Sequence, residues 1–96
     1  MSEKHAQVSI VFEENANRSA AYDGHNQIGV CEFTVSSGTW TITHTGVRPE
    51  YGGQGIARRL VEKVIEEARS RSVKIIPVCS YAVKLMEGSE EYSDVL

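Results

Sequence analysis

No stretch of this chain is apolar for long enough to cross a membrane as a helix, which takes about 20 consecutive residues. Its start, Met1-Ser2-Glu3-Lys4-His5-Ala6-Gln7, has no apolar core of the kind a signal peptide needs. Cysteine is scarce. Cys31 and Cys79, 48 residues apart, make neither a disulfide framework nor a zinc pattern, and reduced thiols in a cytoplasmic protein are the simplest account. His5, His25 and His44 are scattered and share no ligand spacing with either cysteine, so no metal site is expected. An excess of positive charge is also missing. Ten basic against thirteen acidic residues leave a net charge of −3, which offers no general attraction to nucleic acid, and no exposed aromatic-basic series argues otherwise.

What is present is the composition of a globular domain, with 41% apolar residues among mixed charges. The 96 residues leave room for one modest core, burying about 60–65% of the unfolded surface. Residues 1–7 read as a flexible tail and residues 8–96 as a single domain. Val8, Ile10 and Phe12 alternate with Ser9 and Val11 in a first strand, and Arg18 to Tyr22 is a second, ended by the Asp23-Gly24 turn signal. Gln27 to Val35 is a third, with Cys31, Phe33 and Val35 expected on one face and Ile28, Val30 and Glu32 on the other. A fourth runs from Trp40 to Val47 and places His44 on the face of Trp40 and Ile42. Ile56, Ala57, Leu60, Val61, Val64, Ile65 and Ala68 then form one apolar stripe at helical spacing, predicting a helix from about Gly53 to Ser70. Val73 to Val78 is a fifth strand, parallel to the fourth because a helix connects them. A short helix, Tyr81 to Glu87, follows, capped by Ser80, with Tyr92 and Leu96 of the acidic end docking on the domain.

The fold class is therefore α+β: a mixed five-stranded sheet, an antiparallel meander followed by a strand–helix–strand crossover, with one main and one short helix.

The chain is organised around Val47-Arg48-Pro49-Glu50-Tyr51-Gly52-Gly53-Gln54-Gly55-Ile56-Ala57. A helix start normally has Ser, Thr, Asp or Asn at its cap, and none occurs between Val47 and Ala57. Glycine stands there and leaves the first backbone N–H groups bare and approachable, an arrangement that suits an anion. Arg58 and Arg59 lie where the helix dipole disfavours cations, and a bound phosphate would reverse that penalty. By spacing alone, a tight turn with Arg58 paired to Glu62 one turn on accounts for the same residues. With Arg48, the two arginines outline a cationic patch suited to a phosphate-bearing small molecule.

The segment resembles the acyl-CoA loop of the GNAT acetyltransferase superfamily, Gln/Arg-x-x-Gly-x-Gly/Ala, matching at Gly55 and Ala57 and departing at Gly52. His44-Thr45-Gly46-Val47, the loop, Pro77-Val78-Cys79-Ser80-Tyr81 and Glu91-Tyr92-Ser93-Asp94 fall in the order seen in a family of single-domain GNAT-like proteins of this length. The resemblance covers nearly the whole chain, from about Val8 to Leu96. It implies acetyl-CoA as cosubstrate, held by Val47, Arg48, Gly52, Gly53, Gln54, Gly55, Ile56, Ala57, Arg58 and Arg59, with the pantetheine arm in a gap between the fourth and fifth strands. Pro77, which cannot donate to a ladder, agrees with incomplete pairing there.

Three residues are candidates for the chemistry. Cys79 follows the fifth strand and precedes a helix start, a position that favours a nucleophilic thiolate. The resemblance places it near the acyl thioester, as acetyl acceptor or as proton donor to the departing CoA thiolate. A buried hydrophobe is its plainer reading, and Cys31 is read as core. His44 is a candidate base for an amine or for Cys79, beside the plainer reading of a half-buried histidine bonded to backbone. Tyr81 resembles the tyrosine that often protonates the leaving thiolate in GNAT enzymes. Many GNAT enzymes carry a glutamate base near the end of the fourth strand, and Gly46 stands there instead. At Gly52 the side-chain contact to the pyrophosphate is lost as well.

The reading is a minimal acetyl-CoA-dependent N-acetyltransferase acting on an unidentified amine, with an amine on a protein among the candidates, directly or via Cys79. A non-catalytic acyl-CoA-binding or protein-interaction module with the same fold is the alternative, and neither nucleic acid nor membrane is an expected partner.

Overall fold

A computed structural model of the protein describes residues 8–96; the tail expected over residues 1–7 lies outside the described residues. Strands β1 (Val8–Glu13), β2 (Arg18–Asp23), β3 (Asn26–Ser36) and β4 (Thr39–Val47) form an antiparallel meander. Helix α1 (Ile56–Ser70) then crosses to β5 (Lys74–Pro77), and helix α2 (Ser80–Met86) follows. The strands lie in sequence order, with β5 parallel to β4. This is the mixed α+β sheet expected.

One face of the sheet carries the helices. The predicted stripe of α1, Ile56, Leu60, Val61, Val64, Ile65 and Ala68, is buried, and each fully buried Leu, Ile or Val contributes about 1.5–3 kcal/mol. Ser19, a buried polar residue of β2, donates its hydroxyl to the Leu60 carbonyl at 2.7 Å and pins helix to sheet. Gly29 permits the close approach, since a Cβ there would stand 3.1 Å from Leu60 Cδ1 and 3.2 Å from the Gly46 carbonyl. At the far end Phe12, Phe33 and Trp40 form a mutually stacked triad, and the Arg71 guanidinium lies 5.3 Å over Phe12 while pairing with Glu14. The opposite face shows Val11, Glu32, Thr34 and His44 to solvent.

Two bulges break the simple alternation of the strands. Ala21 pairs with Gly29 and Tyr22 with Gln27, so Ile28 is an extra residue in β3. It turns into the core with Cys31 and Phe33 instead of facing away from them, while Val35, near the strand end, is exposed. Glu32 pairs with His44 and Phe33 with Ile42, so Thr43 is an extra residue in β4. Beyond it the faces exchange. His44 stands opposite Glu32 on the open face, and Thr45, opposite Cys31, takes the inward place expected for His44.

Other corrections are local. Helix α1 starts at Ile56, because Gly53 and Gly55 have φ of +78° and +76° and cannot be helical. The N-cap of α2 is Cys79 rather than Ser80, its Sγ accepting from the Ala82 N–H at 3.4 Å. At the C-terminus Val95, not Leu96, is buried beside Tyr92, since the Ile75 N–H donates to the Val95 carbonyl at 2.6 Å and draws that residue against β5. Arg69, paired with Asp94, and Glu62, which accepts from the Tyr92 hydroxyl, hold the same segment to α1.

Candidate functional site

The site is built where β4 outruns β5. Pairing ends at Ile42–Pro77, and the N–H groups of Val78 and Cys79 both turn to the Ile42 carbonyl. Proline leaves no N–H to continue the ladder. Thr43 to Val47 thus face a gap on the β5 side, and the glycine loop opens beyond Val47.

At the loop, Pro49–Tyr51 makes a single turn and Gly55 is the N-cap of α1 with no side-chain capping bond. A Cβ at Gly53 or at Gly55 would meet nothing within 4 Å, so the space above both is open. The first N–H groups of α1 have no intrahelical partner. Val47, Tyr51, Gly52, Gly53, Gly55, Ile56, Ala57 and Tyr81 enclose a cavity of about 210 Å³. Tyr51 forms its buried wall and donates its hydroxyl to Asp23, a bond that raises the phenol above its ordinary range. Gln54 is half-buried in the loop.

The arginines do not converge on this cavity. Arg48 pairs with Glu50 at 3.1 Å and Arg58 with Glu62 at 3.0 Å, one turn on. Arg59 shares a groove with Ile10, Glu62, Lys63 and Glu66, toward β1. The expected cationic patch is thereby divided and partly neutralised, leaving backbone amides as the main anion donors.

The three chemical candidates are distributed around the gap. Tyr81 lines the loop cavity, with 38% of its surface exposed. Cys79 is half-buried at the end of β5. Its Sγ lies 3.3 Å from Thr45 Oγ1, which is itself 3.5 Å from Cys31 Sγ. Cys31 is fully buried, and desolvation pushes its thiol up to about 12, which fits the core role expected of it. His44 stands on the other face of β4, in a groove of about 320 Å³ with Gln27, Val30, Gly46 and Arg48. Its Nε2 lies 3.1 Å from where a Cβ on Gly46 would be, so the imidazole fills the space a side chain at 46 would take. It is Thr45, not His44, that touches Cys79. Thr45 was missed by sequence reasoning, because only the bulge at Thr43 turns it inward. Among the described residues no cluster of His, Cys, Asp or Glu suits a metal ion.

The profile of the GCN5-related N-acetyl-transferase family matches residues 18–95. No curated protein matches significantly in sequence. Among solved structures, a GCN5-like protein from Staphylococcus aureus, determined in solution by NMR, is 33% identical with a TM-score of 0.72, over 94% of this chain and 88% of that one. The ribosomal-protein-S18-alanine N-acetyltransferase from Escherichia coli is 22% identical with a TM-score of 0.61, over 71% of this chain and 47% of that one. At that identity the second likeness speaks for the fold alone.

Proposed function

The chain belongs to the GCN5-related N-acetyltransferase family, and from that premise we propose that it binds acetyl-CoA along the gap beside β4 and passes the acetyl group to an amine by way of Cys79. The observation that carries this reading is the conjunction of the open, uncapped glycine turn with the unpaired end of β4. Loop amides from Gly53 to Ala57 hold the pyrophosphate, and the pantetheine arm takes the place of the missing β5 partner. An unpaired N–H of β4 then polarises the thioester carbonyl.

In the first half-reaction the Cys79 sulfur attacks the acetyl carbon, the carbon–sulfur bond to CoA breaks, and the thiol proton passes to the CoA sulfur. Tyr81, which lines the loop cavity, serves that proton transfer. In the second, an amine attacks the S-acetyl group, and its carbon–sulfur bond breaks as Cys79 regains a proton. The proton that the amine sheds passes to the Cys79 sulfur, while His44 stands on the other face of β4, away from that sulfur. Its place over Gly46 lets it stand where other family members carry a glutamate. The open gap beside β4 leaves room for a large acceptor, such as an amine on a protein. Cytoplasmic location is part of this reading, supported by two unpaired cysteines.

Mass spectrometry with acetyl-CoA, under native and then denaturing conditions, tests it. The expected result is a CoA complex and a 1:1 acetyl adduct that survives unfolding and disappears in Cys79→Ala. A complex without adduct removes the cysteine step. No complex at a large excess of acetyl-CoA removes the acetyltransferase reading.

A further inference from the structure

Cys79 does not stand alone: the Thr45 hydroxyl lies between its sulfur and that of Cys31, 3.3 Å from one and 3.5 Å from the other. We infer that Thr45 is a positioning residue for Cys79, a hydroxyl rotor that holds the Cys79 sulfur in place and turns to donate to it while its proton is away. The inference rests on the assignment of Cys79 as acetyl acceptor.

A threonine hydroxyl has one proton and accepts through its oxygen. In the resting arrangement that proton is directed to Cys31 Sγ, which leaves Thr45 Oγ1 to accept from the Cys79 S–H. When Cys79 gives up its proton, the hydroxyl turns from Cys31 and donates to the Cys79 sulfur. Cys31, wholly buried and held up to about 12 by desolvation, stays a thiol throughout and does not compete for that proton. The Ala82 N–H, 3.4 Å from the same sulfur, fixes it from the other side. Thr45 can do this only because the extra residue at Thr43 turns it inward.

Thr45→Val keeps the branched shape and removes the hydroxyl, whereas Thr45→Ser keeps the hydroxyl and removes the methyl. The test compares alkylation of Cys79 by iodoacetamide at one pH, which needs no acyl-CoA, with acetyl-adduct formation from acetyl-CoA and with CoA affinity. The expected result is an alkylation rate about tenfold lower in Thr45→Val, the scale of one hydrogen bond to an anionic acceptor, and restored to within about twofold by Thr45→Ser. Adduct formation should follow the same order, with CoA affinity unchanged in both. If Thr45→Val does not fold, Thr45→Ala takes its place in the comparison. A wild-type alkylation rate in the hydroxyl-free variant, or failure of Thr45→Ser to restore it, overturns the inference. Should the wild-type protein bind CoA and form no adduct, the cysteine step fails, and alkylation alone still decides whether Thr45 positions the sulfur.

Discussion

Gly55→Ala and Gly38→Ala form a matched pair that separates the backbone cost of the loop from its role toward a ligand. Both glycines have positive φ, +76° and +77°, and in both places an added Cβ would meet nothing within 4 Å. A non-glycine residue in the left-handed region costs roughly 1–2 kcal/mol. The lower entropy of the unfolded alanine chain offsets about 0.4–1 kcal/mol of it, leaving a net loss of about 1 kcal/mol in each variant. For a chain of this size that lowers Tm by about 4–8 °C, to be read by differential scanning calorimetry. The variants part company in binding. Gly55 borders the cavity at the start of α1, while Gly38 lies in the β3–β4 turn. Acetyl-CoA titrated into each should bind Gly55→Ala at least about tenfold more weakly than wild type, and Gly38→Ala unchanged. Equal affinities in the two variants would refute the phosphate assignment. Loss of more than about 3 kcal/mol of stability in Gly55→Ala alone would refute the open space on which it rests.

Three further outcomes follow from the geometry. Gly29→Ala should destabilise by about 1–3 kcal/mol in urea unfolding, the usual cost of overpacking, and Leu60→Ala should not restore it, because the Gly46 carbonyl still crowds the new Cβ. The carboxyls of Glu13, Glu14 and Asp94 are held below their ordinary range, by hydrogen bonds from Tyr22 and Arg18, from Arg71 and from Arg69 respectively. Their stabilisation is therefore full above about pH 4.5 and is lost as pH falls through the folded-state values; a Glu13→Gln variant with the wild-type acid dependence of its urea midpoint would contradict this. At the other end, Tyr51 is raised by its bond to Asp23, so its contribution is complete below about pH 10 and declines as pH rises past it. Tyr51→Phe should flatten that alkaline decline.

The apolar stripe of α1, the meander and the parallel return of β5 were legible because each depends on a period within one segment or on a short connection. The glycine loop was legible for a different reason: an absent cap residue is visible without knowledge of tertiary contacts. The orientation of β4 was not. Alternation from Trp40 puts His44 inward, and nothing within Trp40–Val47 signals that Thr43 is unpaired; that follows from the register of β3 against β4. The same limit hid the inward turn of Ile28 and the choice of Val95 over Leu96, which depends on one hydrogen bond to β5. Cys79 was singled out, but its two neighbours, Thr45 and the Ala82 N–H, come from another strand and from the first turn of α2.

The extra residue in β4 has a consequence for how such a protein changes over generations. Deleting Thr43 would leave Ile42 opposite Phe33, His44 opposite Glu32 and Thr45 opposite Cys31, a regular ladder with the imidazole still on the open face, whereas a slip that paired Thr43 with Glu32 would bring the imidazole opposite Cys31 and send the hydroxyl to solvent. Chemistry at this gap is thus encoded in which residue is left unpaired as much as in the choice of residues, so the loss of that one residue can pass where a shift of the pairing by one seat would exchange the two side chains.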